Sequence, residues 1–347
     1  MDNSENSNDK NLILVTGGLG FIGSHTVVEL QNEGYNVVAI DNLSNSVITV
    51  LDGIERISGK QPIFEQIDLR DKKQVQDFFK KFNNIEGVIH FAASKAVGES
   101  VENPLLYYEN NINTLVYILQ ELQQKSNANF IFSSSCTVYG QAESVPITEN
   151  ASIQPAMSPY GNTKQIGEEI INETCKVSSI NAILLRYFNP IGAHPSAEIG
   201  ELPIGIPQNL IPYITQTGAG LRQELSVYGN DYPTPDGTCI RDYIHVVDLA
   251  KAHVVALKRL LENKNLAKVE TFNLGTGTGS SVLEVITAFE KISNKKLPYK
   301  IVDRREGDVI SAYANTDKAN EILGWKANST LEDSLASAWK WQQKIAQ

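Results

Sequence analysis

Cysteine is scarce in this 347-residue chain: Cys136, Cys175 and Cys239 are its only three. An odd number without C-x-x-C spacing argues against both a disulfide framework and a structural zinc site. The five histidines are scattered singly, which is not the spacing of metal ligands. We therefore predict no metal site, and a chain that works in the reducing cytoplasm.

Long hydrophobic runs are also missing. No apolar stretch approaches the ~18 residues of a membrane-spanning helix, and the polar start, MDNSENSNDK, has no apolar segment like that of a secretion signal. Positive charge is in deficit, with 30 Lys and Arg against 40 Asp and Glu, a net charge of −10. Because nucleic-acid binding depends on clustered cations, we expect neither nucleic acid nor membrane as a partner.

What the chain does have is a regular alternation of apolar runs and amphipathic stretches. The runs, rich in β-branched or aromatic residues, lie at 12–15, 37–40, 88–91, 130–132 and 182–185. Helical spacing occupies 21–33, 72–82, 104–125 and 160–176. Continuous apolar runs suit strands buried on both faces of a parallel sheet. Their alternation with helices predicts a doubly wound, Rossmann-type α/β fold.

A change of composition near residue 190 predicts a second, smaller α/β domain. Proline and glycine become frequent there, and helical periodicity returns at 247–261, 281–292 and 331–345. Loops of this kind carry binding residues when a rigid scaffold holds them. The chain is therefore divided into a disordered tail at 1–11, a first domain at 12–190 and a second domain at 191–347.

The 104–125 stretch has an apolar stripe. Its members are Leu105, Tyr108, Ile112, Leu115, Leu119 and Leu122. The spacing of three and four residues places them on one helix face. That face packs either on the chain's own sheet or on a second copy of the chain.

A glycine-rich turn, TGGLGFIGSH at 16–25, directly follows the first predicted strand. Gly17 permits a tight turn, Gly20 lets the backbone approach a pyrophosphate, and Gly23 lets the helix pack on the strand. The helix N-terminus offers free N–H groups to the anion. Asp41 ends the second strand, where its carboxylate can bind a ribose and repel a 2′-phosphate. The pattern predicts NAD as the cofactor.

A second glycine run, GTGTG at 275–279, also precedes a helical stretch. No strand of comparable quality is evident before it in the sequence. We therefore interpret this run as a turn at the entry of a helix.

Tyr160 and Lys164 form a Y-x-x-x-K pair at the start of an expected helix. Residues four apart share a helix face, so the Lys164 ammonium can lie near the Tyr160 phenol. That charge and the nicotinamide cation are both expected to lower the pKa of Tyr160 and make it a base. Ser135, at the end of an earlier strand, can donate a hydrogen bond to the same substrate oxygen.

Several blocks, in order along the chain, point to a family. They are TGGLGFIGSH (16–25), FAASKAVGES (91–100), SSSCTVYG (133–140), YGNTK (160–164), RYFNPIGAHP (186–195), YGNDYPTPDGT (228–238) and RDYIHVVDLA (241–250). Together they resemble the UDP-glucose/UDP-galactose 4-epimerase family of the extended short-chain dehydrogenases/reductases. The resemblance extends from residue 12 to near the C-terminus.

The resemblance implies roles for two groups of residues, with Tyr160, Lys164 and Ser135 catalytic. The cofactor group, expected to contact NAD, is Gly17, Gly20, Phe21, Ile22, Gly23, Asp41, Asn42, Asp68, Leu69, Phe91, Ala92, Lys95, Asn110, Ser133, Tyr160, Lys164 and Tyr187. The substrate group, expected to contact a UDP-sugar, is Lys95, Ser135, Tyr160, Asn189, Asn209, Leu210, Ser226, Tyr228, Arg241, Arg305, Asp308 and Ala312. Without the family, Arg241 beside Asp242 and Arg305 beside Glu306 could equally be surface ion pairs.

The resemblance also implies an architecture. The domain at 12–190 would bind NAD and the domain at 191–347 mainly the UDP-sugar, with parts of 240–280 returning to the NAD domain. The protein would be a homodimer whose interface includes the helices at 104–125 and 160–176.

The implied activity interconverts UDP-galactose and UDP-glucose through a transient 4-keto sugar and tightly bound NAD. Ala312 stands where some members have a bulky aromatic residue, which implies that UDP-GlcNAc and UDP-GalNAc are accepted too. One alternative is a nucleotide-sugar 4,6-dehydratase, which would have an Asp-Glu pair in place of Cys136 and Thr137. Others are a non-catalytic NAD- or UDP-sugar-sensing module, which would be expected to lose Tyr160 or Lys164, and a dehydrogenase that releases NADH.

Overall fold

The computed structural model describes residues 11–305 and 307–346. The tail expected at 1–11 lies outside this part of the chain, except for Asn11. The strands are β1 (Leu12–Thr16), β2 (Asn36–Asp41), β3 (Ile63–Gln66), β4 (Ile85–His90), β5 (Ala128–Ser135), β6 (Ile180–Tyr187), β7 (Asn189–Ile191), β8 (Leu225–Tyr228), β9 (Ile240–Arg241), β10 (Tyr243–His245), β11 (Val269–Leu274), β12 (Ser280–Ser281), β13 (Tyr299–Val302) and β14 (Ser311–Ala312).

The helices connect these strands or cover them. They are α1 (Phe21–Asn32), α2 (Val50–Ser58), α3 (Lys72–Lys81), α4 (Val97–Glu102), α5 (Pro104–Leu122), α6 (Pro159–Lys176), α7 (Leu210–Gly218), α8 (Val246–Leu261), α9 (Val282–Ser293) and α10 (Leu331–Ile345). A 3-10 turn, Cys136–Tyr139, follows β5 directly. Within the described ranges, no helix combines the length and the apolar character that a bilayer span needs.

Seven parallel strands form the central sheet, in the order β3-β2-β1-β4-β5-β6-β11. The strand order reverses between β1 and β4, and in doubly wound sheets the crevice at the carboxyl ends of such strands binds ligands. This sheet confirms the Rossmann-type α/β fold that the sequence predicts.

Helices cover both faces of the sheet. Ile13 and Val15 of β1 face a core formed with α1, α2 and α8. Leu12 and Leu14 of the same strand face a second core, formed with α3, α5 and α6. Successive side chains of a strand point to opposite faces, so two covered faces explain the continuous apolar runs.

The sequence interpretation missed some elements, chiefly at the sheet edges. All five predicted strands are present, but β3 and β11 were not predicted, nor were the helices α2, α4 and α7. β3 forms one edge of the sheet and β11 the other. β3 is not buried on both faces, and Ile63 is 47% exposed. In β11 the polar residues Glu270, Thr271 and Asn273 interrupt the apolar sequence, and Glu270 and Asn273 are buried. Neither strand is therefore a continuous apolar run.

The apolar stripe predicted on α5 is only partly correct. Leu115, Leu119 and Leu122 are buried in the core beneath the sheet, as a stripe facing the chain's own sheet requires. At the other end of the helix Leu105 is 80% exposed, whereas its neighbour Tyr107 is fully buried. In the first turns of α5, Tyr107 is therefore on the buried face, and the predicted stripe lies outside the core there.

Three small sheets and three helices form the rest of the molecule. The sheets pair β7 with β10, β8 with β13, and β9 with both β12 and β14. Helices α7, α9 and α10 pack around a core that includes Phe289 and Leu335. Because α8 packs on α1 and β11 is the seventh strand, part of 240–280 lies with the central sheet. The division at residue 190 stays a prediction.

Candidate active site

The first glycine turn lies at the carboxyl end of β1. Gly17 has a left-handed backbone (φ +66°), and a Cβ there would meet the Ala92 backbone nitrogen at 2.9 Å. A Cβ on Gly23 would collide with the Gly17 carbonyl oxygen. Among the described residues, and apart from its chain neighbours, Gly20 has only that oxygen within 4 Å of an added Cβ, at 3.2 Å. Gly17 and Gly23 therefore have no space for a side chain, whereas the surroundings of Gly20 are open.

Helix α1 begins directly behind Gly20 with Phe21 and Ile22. In the part of the chain that the structure describes, no side chain caps its first turn. The N–H groups of an uncapped first turn need acceptors, and an anion such as a pyrophosphate provides them. The expected anion site therefore has an open approach and available donors.

Asp41 ties the end of β2 to this turn. Its Oδ2 accepts a hydrogen bond from the Leu19 N–H at 3.1 Å. Its Oδ1 accepts from the Leu43 N–H at 2.9 Å and from the Ser46 hydroxyl at 2.8 Å. A carboxylate oxygen can accept two hydrogen bonds, so Oδ2 has capacity for one donor more, such as a ribose hydroxyl.

The predicted adenine-side residues lie on the neighbouring loop. Asp68 accepts hydrogen bonds from Arg70, which hold the pKa of that carboxyl below its usual range, and it also contacts the Asn42 side chain. Leu69 is buried. Asn42, Asp68 and Leu69 are thus brought to the carboxyl ends of β2 and β3, beside Asp41.

On the other side of the crevice, Phe91 and Ala92 follow β4. The Ala92 N–H donates to Thr16 Oγ1 at 3.3 Å, which keeps this segment against the end of β1. Asn110 of α5 donates to the Ser94 hydroxyl at 3.1 Å. Phe91 and Ala92 therefore border the glycine turn, and Asn110 contacts the segment that follows them.

Glu201 joins two predicted ligand-binding residues. The Lys95 ammonium lies 3.2 Å from Glu201 Oε1, and Asn209 Nδ2 donates to the same oxygen at 2.8 Å. Lys95 belongs to both predicted groups and Asn209 to the substrate group. In the protein alone, a carboxylate thus occupies contacts that the resemblance assigns to phosphates.

The three predicted catalytic residues meet where β5 ends. Ser135 is the last residue of β5, and its hydroxyl lies beside the phenol of Tyr160 in the first turn of α6. Lys164, one turn later, donates to the Ser133 carbonyl oxygen at 2.8 Å. Its ammonium lies 5.9 Å from the centre of the Tyr160 ring. The chain thereby gathers a phenol, a hydroxyl and an ammonium in one place.

Burial controls how this group titrates. Burial raises the pKa of Tyr160 above its usual value, the Tyr187 phenol raises it further, and the neighbouring Ser135 hydroxyl opposes both. Burial also lowers the pKa of Lys164 to about 8, although the Glu168 carboxylate works against this. The side chains alone therefore do not lower the pKa of Tyr160, and the lowering expected from Lys164 together with the nicotinamide cation stays a prediction. Desolvation of an enclosed phenol outweighs the nearby ammonium, so further positive charge is needed to make Tyr160 a base.

Tyr187 and Ser133 complete the predicted cofactor group at the ends of β6 and β5. The Ser133 hydroxyl donates to the Tyr187 phenol oxygen at 3.1 Å. Burial raises the pKa of Tyr187 to about 12, so it remains a neutral phenol at physiological pH.

Two arginines of the predicted substrate group converge on Asp308. Arg305 Nη2 lies 2.8 Å from Asp308 Oδ1, and Arg241 Nη2 lies 3.6 Å from the same oxygen. The Arg305 guanidinium is 5.5 Å from the centre of the Tyr228 ring. Arg241 and Arg305 thus share the Asp308 carboxylate, and Tyr228 lies beside Arg305.

The alternative of sequence-adjacent surface pairs is wrong for Arg241. Its side chain is 16% exposed and faces Asp308, whereas Asp242 is fully buried and points into the protein. Because Arg241 faces Asp308 and Asp242 accepts hydrogen bonds from the backbone of Thr276, the two adjacent charges do not pair with each other. The pairing of Arg305 with Glu306 concerns a residue outside the described ranges.

The remaining substrate-group residues lie on short elements of the second region. Ala312 of β14 pairs with Arg241 of β9, is 8% exposed, and packs in a cluster with Val138 and Tyr139. The others are Asn189 at the start of β7, Leu210 at the start of α7, and Ser226 within β8. Ala312 is thus paired with Arg241 across two strands, and Leu210 directly follows Asn209 in the chain.

The second glycine run differs from the first. It directly follows β11, so the expectation that no good strand precedes it is wrong. The buried Asp242 carboxylate accepts hydrogen bonds from the N–H groups of Thr276 at 2.8 Å, Gly277 at 3.1 Å and Ala314 at 3.1 Å. The Thr276 hydroxyl donates to it as well, at 2.7 Å. The protein's own carboxylate fills the position that a phosphate would take.

Sequence reasoning missed Asn111, Glu168 and Glu201. Asn111 Nδ2 donates to the Ser94 carbonyl at 3.0 Å and to the Thr163 hydroxyl at 3.0 Å, joining the β4 loop to α6. A sequence signal existed only for Glu168, which lies four residues after Lys164 and therefore on the same helix face.

Comparison with known proteins identifies the family. The chain is 50% identical to UDP-glucose 4-epimerase of Bacillus subtilis over 331 residues, 95% of this chain and 96% of that protein. It is 48% identical to the UDP-glucose 4-epimerase of Mus musculus, over 96% of each chain. The chain belongs to the UDP-glucose 4-epimerase family. Residues 14–338 also match the broader family model described as GDP-mannose 4,6 dehydratase.

Solved structures of the epimerase family have the same fold. The UDP-glucose-4-epimerase from Stenotrophomonas maltophila, with bound NAD and formylated UDP-arabinopyranose, is 46% identical with a TM-score of 0.92, covering 97% of this chain and 99% of that one. The enzyme from Bifidobacterium longum, in complex with NAD+ and UDP, gives the same identity, TM-score and coverage.

The geometry around Cys136 and Thr137 disfavours dehydratase chemistry, despite the description of the family model. Elimination of water needs an acid to protonate the leaving hydroxyl. Burial raises the pKa of the Cys136 thiol to about 12, and the Thr137 hydroxyl is buried with no hydrogen-bond partner among the described residues. Neither group is a usable acid for a dehydratase. The alternative of a non-catalytic module is disfavoured for another reason, because such a module would not require Tyr160 and Lys164, and both are present.

Proposed function

We propose that the chain interconverts UDP-galactose and UDP-glucose by oxidising C4 of the sugar to a transient ketone and reducing it on the opposite face. The observation that carries this proposal is the convergence of Ser135, Tyr160 and Lys164 at the end of β5, beside the crevice that holds the open glycine turn. This combination suits reversible proton removal from a hydroxyl next to a bound dinucleotide.

The residues present fit NAD as a tightly held cofactor. The open Gly20 and the uncapped start of α1 suit a pyrophosphate, and Asp41 Oδ2 suits an unmodified ribose. Asn42, Asp68 and Leu69 would lie on the adenine side, and Phe91, Ala92, Lys95 and Asn110 on the other side of the crevice. When bound, NAD supplies the acceptor for hydride from C4 and the donor for its return, as well as a positive charge beside Tyr160.

Proton transfer is assigned to Tyr160. Its phenolate would take the proton of the sugar 4-hydroxyl and return it after the sugar has turned over. Ser135, whose hydroxyl lies beside Tyr160, would hold the same substrate oxygen. Lys164 would stabilise the phenolate, a role that requires it to remain protonated.

The UDP part would be bound by the second region while the sugar turns over. Arg241 and Arg305 present forked donors that match phosphate oxygens, and a diphosphate would compete with Asp308 for them. Tyr228 and Ser226 would line the uracil, and Asn189, Asn209 and Leu210 the diphosphate side. Binding energy from the nucleotide would hold a sugar that itself must stay free to rotate.

A broader substrate range follows from Ala312, and we propose that UDP-GlcNAc and UDP-GalNAc are also substrates. Ala312 has a small side chain next to Arg241. A relative from Campylobacter jejuni, 33% identical with a TM-score of 0.82, is described as a UDP-Glc/GlcNAc 4-epimerase. Ala312→Tyr should abolish turnover of the N-acetylated sugars and retain that of UDP-galactose. If the parent protein lacks N-acetyl activity, or the variant keeps it, the steric argument fails.

We further propose a cytoplasmic homodimer. Leu105 is 80% exposed and Val101 is 59% exposed at the start of α5 and the end of α4, beside α6. Packing of these side chains against a second copy of the chain would remove them from water. Light scattering on the purified protein should give twice the chain mass, and Leu105→Glu should shift it toward the monomer. A parent protein that is monomeric at micromolar concentration would contradict this proposal.

The main test uses the purified protein without added cofactor. Incubation with UDP-galactose should yield UDP-glucose, because the hydride returns to the sugar and bound NAD is not consumed. Release of NADH that depends on added NAD+ would indicate a dehydrogenase instead. A product lighter by one water would indicate a dehydratase, and no conversion at all would refute enzymatic turnover.

A further inference from the structure

A buried charged cluster lies directly behind Lys164 and has no part in the proposed chemistry. It is formed by Glu168 of α6, Arg186 of β6, Tyr139 of the 3-10 turn, Ser134 of β5 and Asn273 of β11. Glu168 is 6% exposed and Arg186 is 8% exposed, while the other three are fully buried. Charged groups are placed in such surroundings only when paired, and this cluster joins five different elements.

Every member of the cluster is hydrogen-bonded. Arg186 donates to both oxygens of Glu168, from Nε to Oε1 at 2.9 Å and from Nη2 to Oε2 at 2.5 Å. Arg186 Nη1 donates to the Tyr139 phenol oxygen at 3.0 Å, and that phenol donates to Asn273 Oδ1 at 2.6 Å. The bidentate pairing determines the orientation of both charged side chains.

The cluster and Lys164 form hydrogen bonds with adjacent residues of β5. Ser134 donates to Glu168 Oε1 at 2.6 Å, and the adjacent Ser133 carbonyl accepts from the Lys164 ammonium at 2.8 Å. Glu168 lies one helical turn after Lys164 on α6. A helix and a strand end are therefore held together at two neighbouring points, immediately before Ser135.

We propose that Glu168, with Arg186 and Tyr139, is a positioning residue that fixes Lys164 and the Ser133–Ser135 strand end in the geometry that proton transfer at Tyr160 needs. This inference rests on the proposed function, because the position of Lys164 matters only if Tyr160 is the base. Glu168 touches neither substrate nor cofactor in this assignment and acts through Lys164 and Ser134.

The charges around Lys164 give Glu168 a second effect. His90 of β4 and Tyr160 of α6 lie near the ammonium, and burial favours the uncharged form of both side chains. Glu168 is the nearby carboxylate that raises the pKa of Lys164 against burial. Removing its charge would leave the Arg186 cation behind, which disfavours a protonated Lys164.

The first experiment compares Glu168→Gln with the parent protein. We expect kcat to fall about 10²-fold, the cost of a small misplacement of reacting groups, with KM for UDP-galactose little changed. Lys164 has its pKa lowered to about 8, so activity should decline as pH rises through that value. In Glu168→Gln that decline should begin at lower pH, and replacing both charges in Glu168→Gln/Arg186→Gln should return it toward the parent position.

A matched control separates this role from a loss of stability. Arg259 and Glu270 form another buried bidentate pair, with distances of 2.7 and 3.0 Å, toward the opposite end of β11 from the site. Glu270→Gln should lower the melting temperature without moving the pH profile. Should Glu168→Gln fail to fold, Tyr139→Phe provides the test, since it removes one acceptor of Arg186. It should lower kcat by a larger factor than it changes KM for UDP-galactose.

The outcomes are distinguishable from failure of the proposed function. If the parent protein does not epimerise, the proposed function is wrong and Glu168 has nothing to position. If the parent is active, and a folded Glu168→Gln or Tyr139→Phe keeps both its kcat and its pH profile, the positioning role is refuted. Equal shifts in Glu168→Gln and Glu270→Gln would also refute it, because the effect would then be one of stability.

Discussion

Two glycine-rich turns in this molecule look alike in sequence and differ in what fills them. The turn at 17–23 follows β1 and leads into α1, and the turn at 275–279 follows β11 and leads toward α9. In the first, Gly20 is open and no side chain among the described residues caps the helix. In the second, Asp242 accepts hydrogen bonds from the backbone of Thr276 and Gly277.

The difference shows that a glycine run specifies a backbone shape but not its occupant. Both turns expose N–H groups that can bind an anion. Where the protein supplies the carboxylate, the turn becomes part of the structure. Where it does not, the turn remains a candidate ligand site. The following predictions test this contrast, beginning with the largest expected effect.

Gly20→Leu should remove bound NAD and with it all epimerase activity. The added side chain has space in the protein but would occupy the approach to the open turn. Replacing a helix cap residue with leucine should cost about 1 kcal/mol of stability, so the fold should survive. Absorbance of the purified variant would show the lost nucleotide. A variant that keeps both bound NAD and turnover would contradict the proposal that the first turn, unlike the second, is a ligand site.

Tyr160→Phe should lower kcat by about 10²–10⁴-fold, the usual contribution of a general base. Because the first turn binds the cofactor independently of this phenol, NAD and UDP should remain bound. Release of the nucleotide from the denatured variant, with calorimetric titration of UDP, would test both. Near-normal turnover would exclude Tyr160 as the base. The cofactor expected at the first turn would then have no identified partner for proton transfer.

Asp242→Asn should destabilise the protein without releasing NAD. An amide has one acceptor atom where the carboxylate serves four donors, and each buried donor left without an acceptor costs about 1–3 kcal/mol. Urea unfolding should show the loss in the unfolding free energy. A drop in NAD content at unchanged stability would mean that the second turn, too, serves the ligand.

Gly277→Ala should have the smallest effect. Gly277 has φ +80°, a conformation that costs a residue with a Cβ about 1–2 kcal/mol. The added methyl would lie 3.3 Å from Thr316 Oγ1 and far from the expected cofactor. A lower melting temperature with unchanged kcat and NAD content is expected. Unchanged stability would show that the strain is relieved by movement of the turn.

The sequence predicted the central fold well because the signals there are local. β1, β2, β4, β5 and β6 are buried on both faces and appear as continuous apolar runs, and the Y-x-x-x-K pair lies at the start of the helix expected at 160–176. The edge strand β11 was not predicted, because Glu270, Thr271 and Asn273 interrupt its apolar sequence. For the same reason the strand before the second glycine run was missed, although the run itself is a structural turn ahead of α9, as the sequence indicates.

The linear order of residues was enough for the α/β class, the NAD-type turn with Asp41, and the pairing of Tyr160 with Lys164, since each depends on spacing within one or two adjacent elements. Only the folded chain decided that Asp242 fills the second turn, that Glu201 joins Lys95 to Asn209, and that burial raises the pKa of Tyr160. These contacts join residues as far apart as 106 positions, as in Lys95 and Glu201. Their approach depends on the order of strands in the sheet and on desolvation, which sequence spacing does not encode.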